Sequence, residues 1–251
     1  MMREETVFGP IFSRRLGRSL GINLLPEKGK LCNFDCIYCE CGWNRDGRED
    51  RRLPSAAEVL DRLRARLGEC AAVGTAIDSI TFSGDGEPTL HPDFAAIVDG
   101  TLALREEFFP SAKVSVLSNA TMVWRDDVFA ALRRVDNPIL KIDAATDEGA
   151  VAVNSPSGEY HVADVVAGLE RFSGDFVLQT MFLRSPSFDT GTEPNLSGWM
   201  DIVRRLRPRE TMVYTVARET PMKGIVPYSA EEILALVKPL IDEGLRLQIS
   251  A

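Results

Sequence analysis

The 251-residue sequence has no run of 18 apolar residues, so nothing in it reads as a membrane-spanning helix. Its first residues, MMREETVFGP, lack the hydrophobic stretch of a secretory signal. Both absences lead to the expectation of a cytoplasmic protein that has no membrane partner. Histidine is scarce. His91 and His161 stand far apart, so each is expected as a surface or capping residue rather than a metal ligand. A basic surplus is missing too: the net charge is −8, which argues against a general nucleic-acid binder and leaves nucleic acid a possible but disfavoured partner. The basic runs Arg14 to Arg18 and Arg204 to Arg209 read as solvated surface, although Arg14, Arg15 and Arg18 could meet an anionic substrate. No composition break divides the chain, so residues 1–251 are expected to form one domain.

Cysteine is also rare, with five in all, yet four of them fall in Leu31 to Cys41, LCNFDCIYCEC. Cys32, Cys36 and Cys39 stand at C-x3-C-x2-C spacing, with Tyr38 before the third. In a reducing compartment such a cluster more often binds metal than pairs as disulfides. Three thiolates on one loop can hold three irons of a [4Fe–4S] cluster and leave the fourth open for chemistry. A zinc site would more often show a second C-x2-C pair, and none is present. Cys41 is expected as a neighbour or a substrate-side thiol rather than a ligand, pointing away from Cys39. Cys70 reads as structural.

The remaining chain alternates in period. An apolar run ending near Leu25 reads as a first strand. Ser55 and Glu58 form a capping box opening a helix that Gly68 should stop. Strands follow at Ile77 to Phe82, Lys113 to Leu117, Ile139 to Ile142, Phe176 to Phe182 and Met212 to Val216, each with a helical pattern after it. Ser229 and Glu232 cap a last helix that Pro239 should kink or shorten, and Leu245 to Ile249 reads as a closing strand. Six βα units and a final strand imply an α/β fold with parallel strands, best a partial (βα)6 TIM-like barrel. The cysteines, SGDGE, SNAT, Asp143, the loop after Phe182 and ARETP all follow strand C-termini, which in such a barrel form the active face.

C-x3-C-x2-C with an aromatic residue before the last cysteine, after the first strand of a βα series, resembles the radical S-adenosylmethionine (radical SAM) enzymes. VFGPIFSRRLGRSLGINLLP and SGDGEPTLHPDF are similar to the branch that includes the wyosine-base synthases. The resemblance implies that Cys32, Cys36 and Cys39 ligate a [4Fe–4S] cluster and that Tyr38 lies beside the adenine of S-adenosylmethionine. It implies that Gly84, Asp85, Gly86 and Glu87 hold the methionine amino group, although the family often has glycine where Asp85 stands. Ser118 and Asn119 would reach the ribose or carboxylate, and Val216 and Ala217 would give backbone contacts to adenine. The activity implied is cleavage of S-adenosylmethionine to a 5′-deoxyadenosyl radical that takes hydrogen from a substrate, with a flavodoxin or ferredoxin as external reductant. Wyosine-base synthases act on a tRNA guanosine and carry a second cysteine set, which this chain lacks. That activity therefore stands as an alternative, beside a non-catalytic iron–sulfur electron carrier. Lys141 and Asp143, expected on opposite faces of the fourth strand's mouth, and Gln179 or Thr180 in the fifth strand are candidates to meet substrate. Arg184 and Phe188 sit in a loop expected to cover it.

Overall fold

The computed structural model describes residues 5–13, 15–47 and 50–251. Arg14, one of the three arginines set out as an anion site, lies outside them. The chain divides into two compact units. One runs to Cys32 and takes in Asn44–Ser118 and Trp124–Pro138; the other takes Asn33–Trp43, Asn119–Val123 and Ile139–Ala251.

The first unit opens on a hairpin. Strand β1, Val7–Ser13, pairs antiparallel with β2, Gly17–Ile22. The sequence pattern had merged these two into one run, because β1 is half-exposed, with Ile11 and Phe12 in solvent, and does not alternate cleanly. Gly17 turns the hairpin with φ of +70°, and Arg18 forms a two-pronged ion pair with Asp78 (3.1 Å for each bond). Arg18 is thus spent on the fold, contrary to its expected role in anion binding. Strand β2 continues in parallel to β3, Ser79–Phe82, which pairs with β4, Lys113–Ser118.

Helix α1, Ala56–Ala72, begins at the expected capping box: Ser55 Oγ accepts from Glu58 N (3.3 Å) and Glu58 Oε2 from Ser55 N (2.8 Å). Ser55→Ala should cost about 1 kcal/mol, read as a melting-temperature drop of roughly 2–4 °C. The helix does not stop at Gly68. It ends at Val73, where Gly74 takes the left-handed conformation (φ +71°) that closes a helix without a Cβ clash. Helices α2, Phe94–Phe108, and α3, Asp126–Leu132, complete this unit.

The second unit holds the parallel strands β5, Asn137–Lys141, β6, Val177–Arg184, and β7, Glu210–Thr215. Between β5 and β6 lie α4, Asp147–Asn154, and α5, Val162–Glu170. Helix α4 has no counterpart in the sequence reading, because DEGAVAVN mixes glycine and β-branched residues that weaken a helical signal. Thr146 caps it, accepting from Gly149 N at 3.1 Å. Helix α6, Asn195–Leu206, seats Trp199 against Phe182 and donates its indole N–H to Thr180 Oγ1 (3.0 Å). Strand β8, Val226–Pro227, pairs antiparallel with β6. Helix α7, Ala230–Asp242, starts at the expected Ser229–Glu232 box and runs through Pro239 rather than stopping there, its buried Val237 and Leu240 flanking the proline. Strand β9, Leu247–Ser250, closes the sheet in parallel with β7. No helix among the described residues is long and apolar enough to cross a membrane.

Candidate active site

In the first unit the site is a glycine turn after β3. Gly86 has φ of +140°, and a Cβ built there would lie 1.8 Å from Leu31 O. Leu31 docks on this turn through its backbone: its N donates to Asp85 O (2.9 Å) and its O accepts from Glu87 N (3.0 Å). A Cβ on Gly84 would meet Asn23 Oδ1 at 2.1 Å. The glycines were expected to make room for a ligand. In the structure they make room for the residue that leads into Cys32 and for Asn23, whose Oδ1 also accepts from Asp85 N (3.3 Å). Glu87 is buried, and its Oε1 accepts three bonds, from Thr89 N (3.1 Å), Thr89 Oγ1 (2.5 Å) and Ser118 Oγ (2.8 Å). Ser118, expected to reach ribose, therefore holds the glutamate.

In the second unit the cysteine loop is clamped by main-chain bonds. Asp35 N donates to Asn154 O (2.8 Å), Ile37 N to Val153 O (3.1 Å) and Ser157 N to Asn33 O (2.8 Å), all at the end of α4. From the chain after β7, Met222 N donates to Ile37 O (3.2 Å) and Arg218 pairs with Glu40 (2.5 Å). Asn33, Asn119 and Thr121 close a polar ring: Asn119 Nδ2 donates to Asn33 Oδ1 (2.7 Å), Asn33 Nδ2 to Thr121 Oγ1 (2.7 Å), and Thr121 Oγ1 to Asn119 Oδ1 (2.7 Å). No cysteine is in a disulfide; Cys32, Cys36, Cys39 and Cys41 are half-exposed and Cys70 is buried within α1. Gly42 N donates to Cys39 O (3.0 Å), so Cys39 to Cys41 form a turn. The extended backbone assumed for Cys41 does not exist there.

Around Cys36 lies a buried polar network. Tyr38 OH donates to Asp143 Oδ2, and Lys141 Nζ donates to Tyr38 OH (2.6 Å) and Tyr214 OH (2.9 Å). Asn154 Nδ2 donates to Asp143 Oδ2 (2.7 Å) and Cys36 Sγ (3.3 Å), and Asp143 Oδ1 accepts from Met181 N (2.8 Å). Lys141 and Asp143 do not point to opposite faces: residues two apart on a strand share a face, and Nζ stands 3.7 Å from Oδ2. Burial, and then the Asp143 charge, push the Tyr38 phenol well above its ordinary range. Although Cys36 is half-exposed as a residue, desolvation of its thiol by the surrounding network pushes it up to about 11, against the pull of Lys141 and Asn154. For Lys141, burial works to lower the pKa, but Asp143 and Tyr214 outweigh it and raise it.

The other expected residues fall as follows. Gln179 is buried in β6, beside Lys141 in register. Its neighbour Thr180 donates to Ile142 O (2.8 Å) and packs toward α6. Val216 and Ala217 follow β7, half-exposed and exposed. Arg184 is held by Glu232 (2.7 Å) and stacks 3.6 Å over Tyr228, and Phe188 packs by Gly149. Both are thus engaged within their own unit. His91 is buried rather than on the surface, its Nε2 donating to Pro54 O (2.8 Å) and its Nδ1 capping Asp93 N (3.1 Å). His161 pairs with Asp147 (2.7 Å), which raises its pKa above 6.5. An NMR titration of His161 should show that elevation and lose part of it in Asp147→Asn, because Glu159, 3.2 Å from Nε2, also raises it. Arg204, Arg205 and Arg209 pair with Glu243, Glu170 and Asp175, the solvated surface expected of them.

Residues 27–176, which carry both the cysteine loop and the glycine turn, match the model of the radical SAM superfamily. The chain belongs to that superfamily. UPF0026 protein MJ1312 of Methanocaldococcus jannaschii is 29% identical over 94% of this chain and 72% of its own length. A radical SAM methyltransferase from Sphaerobacter thermophilus is similar in structure, with a TM-score of 0.71 at 15% identity over 95% of this chain and 67% of that one. TYW1 with a lysine-pyruvate adduct bound gives 0.64 at 14% identity, over 90% and 73%. The fold class is the superfamily's α/β partial parallel barrel, and the protein is a radical SAM enzyme.

Radical SAM enzymes generally use a [4Fe–4S] cluster and S-adenosylmethionine, and the donor set here fits. Three thiols are outside any disulfide. One of them receives a side-chain N–H, the kind of contact that tunes iron–sulfur ligands. Among the described residues, no three His, Cys, Asp or Glu side chains converge to hold a single metal ion. Sequence reasoning missed Asn154, Tyr214 and Asn33, and placed Thr121 on the active face only as part of SNAT. Asn33 carried a signal, lying inside the cysteine spacing. Asn154 and Tyr214 carried none, since only the fold brings them beside Cys36 and Lys141.

Proposed function

We propose that residues 1–251 act as one catalytic domain, in which Cys32, Cys36 and Cys39 hold the cluster and Glu87 binds the amino group of S-adenosylmethionine. Held there, the pair would supply the superfamily's radical chemistry, cleavage of S-adenosylmethionine to a 5′-deoxyadenosyl radical able to take hydrogen from a substrate. The observation that carries this reading is the direct docking of the residue before Cys32 on the glycine turn. It ties the two motifs together through backbone bonds that a simple electron carrier does not need.

The chain's own residues then have distinct work. Thr89 and Ser118 fix the Glu87 carboxylate with three donors, so it meets an ammonium without having to reorient. The Asn33–Asn119–Thr121 ring sets Asn119 toward the ribose or carboxylate of the cofactor. Val216 and Ala217 offer backbone groups to adenine, and Tyr38 stands beside it while its hydroxyl is held by Asp143 and Lys141. Lys141 and Asp143 hold Tyr38 in place rather than taking part in bond breaking, and Gln179 meets substrate. A flavodoxin or ferredoxin supplies the electron. The acidic balance favours a small molecule or peptide over RNA as substrate.

Anaerobically reconstituted protein, given dithionite and S-adenosylmethionine, should turn brown, hold iron and sulfide in equal amounts, and form 5′-deoxyadenosine. A colourless preparation that holds zinc and forms none overturns the proposal.

A further inference from the structure

Asn154 ends α4, and its side chain is fully enclosed, with 2% of the residue exposed. Its amide nitrogen has two hydrogens and faces three acceptors, Asp143 Oδ2 at 2.7 Å, Cys36 Sγ at 3.3 Å and, at the longer distance of 3.5 Å, Tyr38 OH. Asp143 receives bonds from Tyr38 OH and Met181 N, and so acts there as an acceptor. An acceptor at 2.7 Å requires the nitrogen, not the oxygen, of Asn154 on that side, and the same nitrogen faces the sulfur. The amide cannot rotate away from Cys36 without giving up Asp143. Asp143 is in turn fixed by Tyr38, and Tyr38 by Lys141, whose Nζ also bonds Tyr214. The chain of bonds thus runs from the Lys141 ammonium to one thiol of the three. The backbone of Asn154 locks the same spot, since its O accepts from Asp35 N, next to Cys36.

We infer that Asn154 is a positioning residue for the proposed iron–sulfur centre: its amide N–H sets the direction of the Cys36 sulfur and stabilises the extra negative charge of the reduced cluster. The inference rests on the cluster assignment made above. Hydrogen bonds to ligating sulfurs raise the potential of a cluster, because the reduced state carries more negative charge. Asparagine suits the position where its isosteres do not. Leucine has no donor. Aspartate would set a second carboxylate against Asp143 and the thiolate, a like-charge arrangement in a buried place.

The test is a redox titration of the reconstituted holoprotein, followed by electron paramagnetic resonance. Asn154→Leu should keep its iron and take up the electron at a lower potential, with a tenfold smaller reduced-to-oxidised ratio at a fixed poise, equivalent to 59 mV for a one-electron couple. Asn154→Asp, of the same size, should shift further in the same direction. Should Asn154→Leu fail to fold, Asn154→Asp alone carries the measurement. Loss of iron from a variant with native circular dichroism also supports the role, since the Cys36 ligand is then misplaced. Unchanged potentials in iron-loaded variants overturn the inference. A wild-type protein that never forms a cluster would instead overturn the assignment on which it rests, so the two failures are distinct.

Discussion

Gly86→Ala should dislodge Leu31 and, with it, Cys32. Two effects add. The backbone at φ +140° is open to glycine and strained for any side chain, by about 1–3 kcal/mol. The new Cβ would also fall 1.8 Å from a backbone oxygen that cannot rotate aside, because Leu31 is bonded on both sides to Asp85 and Glu87. Overpacking of that kind costs a further ~1–3 kcal/mol, so the sum is about 4 kcal/mol, or a fall in melting temperature of roughly 8–16 °C for a chain of this size. Iron content after reconstitution should fall with it. Gly74→Ala is the matched control, having a positive φ of +71° but nothing within 4 Å of the new Cβ. It should cost about 1 kcal/mol and leave iron binding intact. Equal effects of the two substitutions would show that strain alone, and not the docking of Leu31, makes Gly86 necessary.

Lys141→Met should destabilise the second unit by about 3–5 kcal/mol, the usual cost of leaving a buried charge without its partner. Asp143 would keep Tyr38, Asn154 and Met181 N but lose the Lys141 ammonium that stands 3.7 Å away. Chemical denaturation of the iron-free protein measures it. Lys141→Met combined with Asp143→Leu should recover part of the loss, because both charges are then gone. The pH dependence has a definite sign. The folded protein holds the Lys141 proton more tightly than a free lysine does, so its contribution is complete below the unfolded pKa of about 10.4 and is lost as pH rises through the folded value. The gap between wild type and Lys141→Met should therefore stay flat across neutral pH and close only in strong alkali. A cost under about 1 kcal/mol would mean that the ammonium is no more than a surface charge.

The alternation of strand and helix was legible in the chain, because buried parallel strands leave apolar runs and capping boxes mark helix starts. Ser55–Glu58 and Ser229–Glu232 fell where the pattern put them. Strand β1 and helix α4 were not legible, the first being half-exposed at a sheet edge and the second rich in valine and glycine. For the site, the spacing of Cys32, Cys36 and Cys39 and the glycines beside Glu87 were visible. What the glycines do was not. Their neighbours, Leu31 and Asn23, are far from them in sequence, and close backbone approach leaves the same mark whether a ligand or a protein strand makes it. The pairing of Lys141 with Asp143 was legible in principle from strand periodicity alone. Asn154 was not, because nothing local in the chain distinguishes a helix-ending asparagine that faces a sulfur from one that faces water.

The clamp on the cysteine loop has a bearing on how the enzyme is loaded. In a zinc finger the metal supplies the free energy that orders its own ligands. Here Asp35, Ile37 and Ser157 fix the loop to its surroundings by main-chain bonds that involve no thiol at all. Those bonds hold Asn33 to Ile37 whatever the thiols bind, so an incoming cluster would have less of the loop left to order.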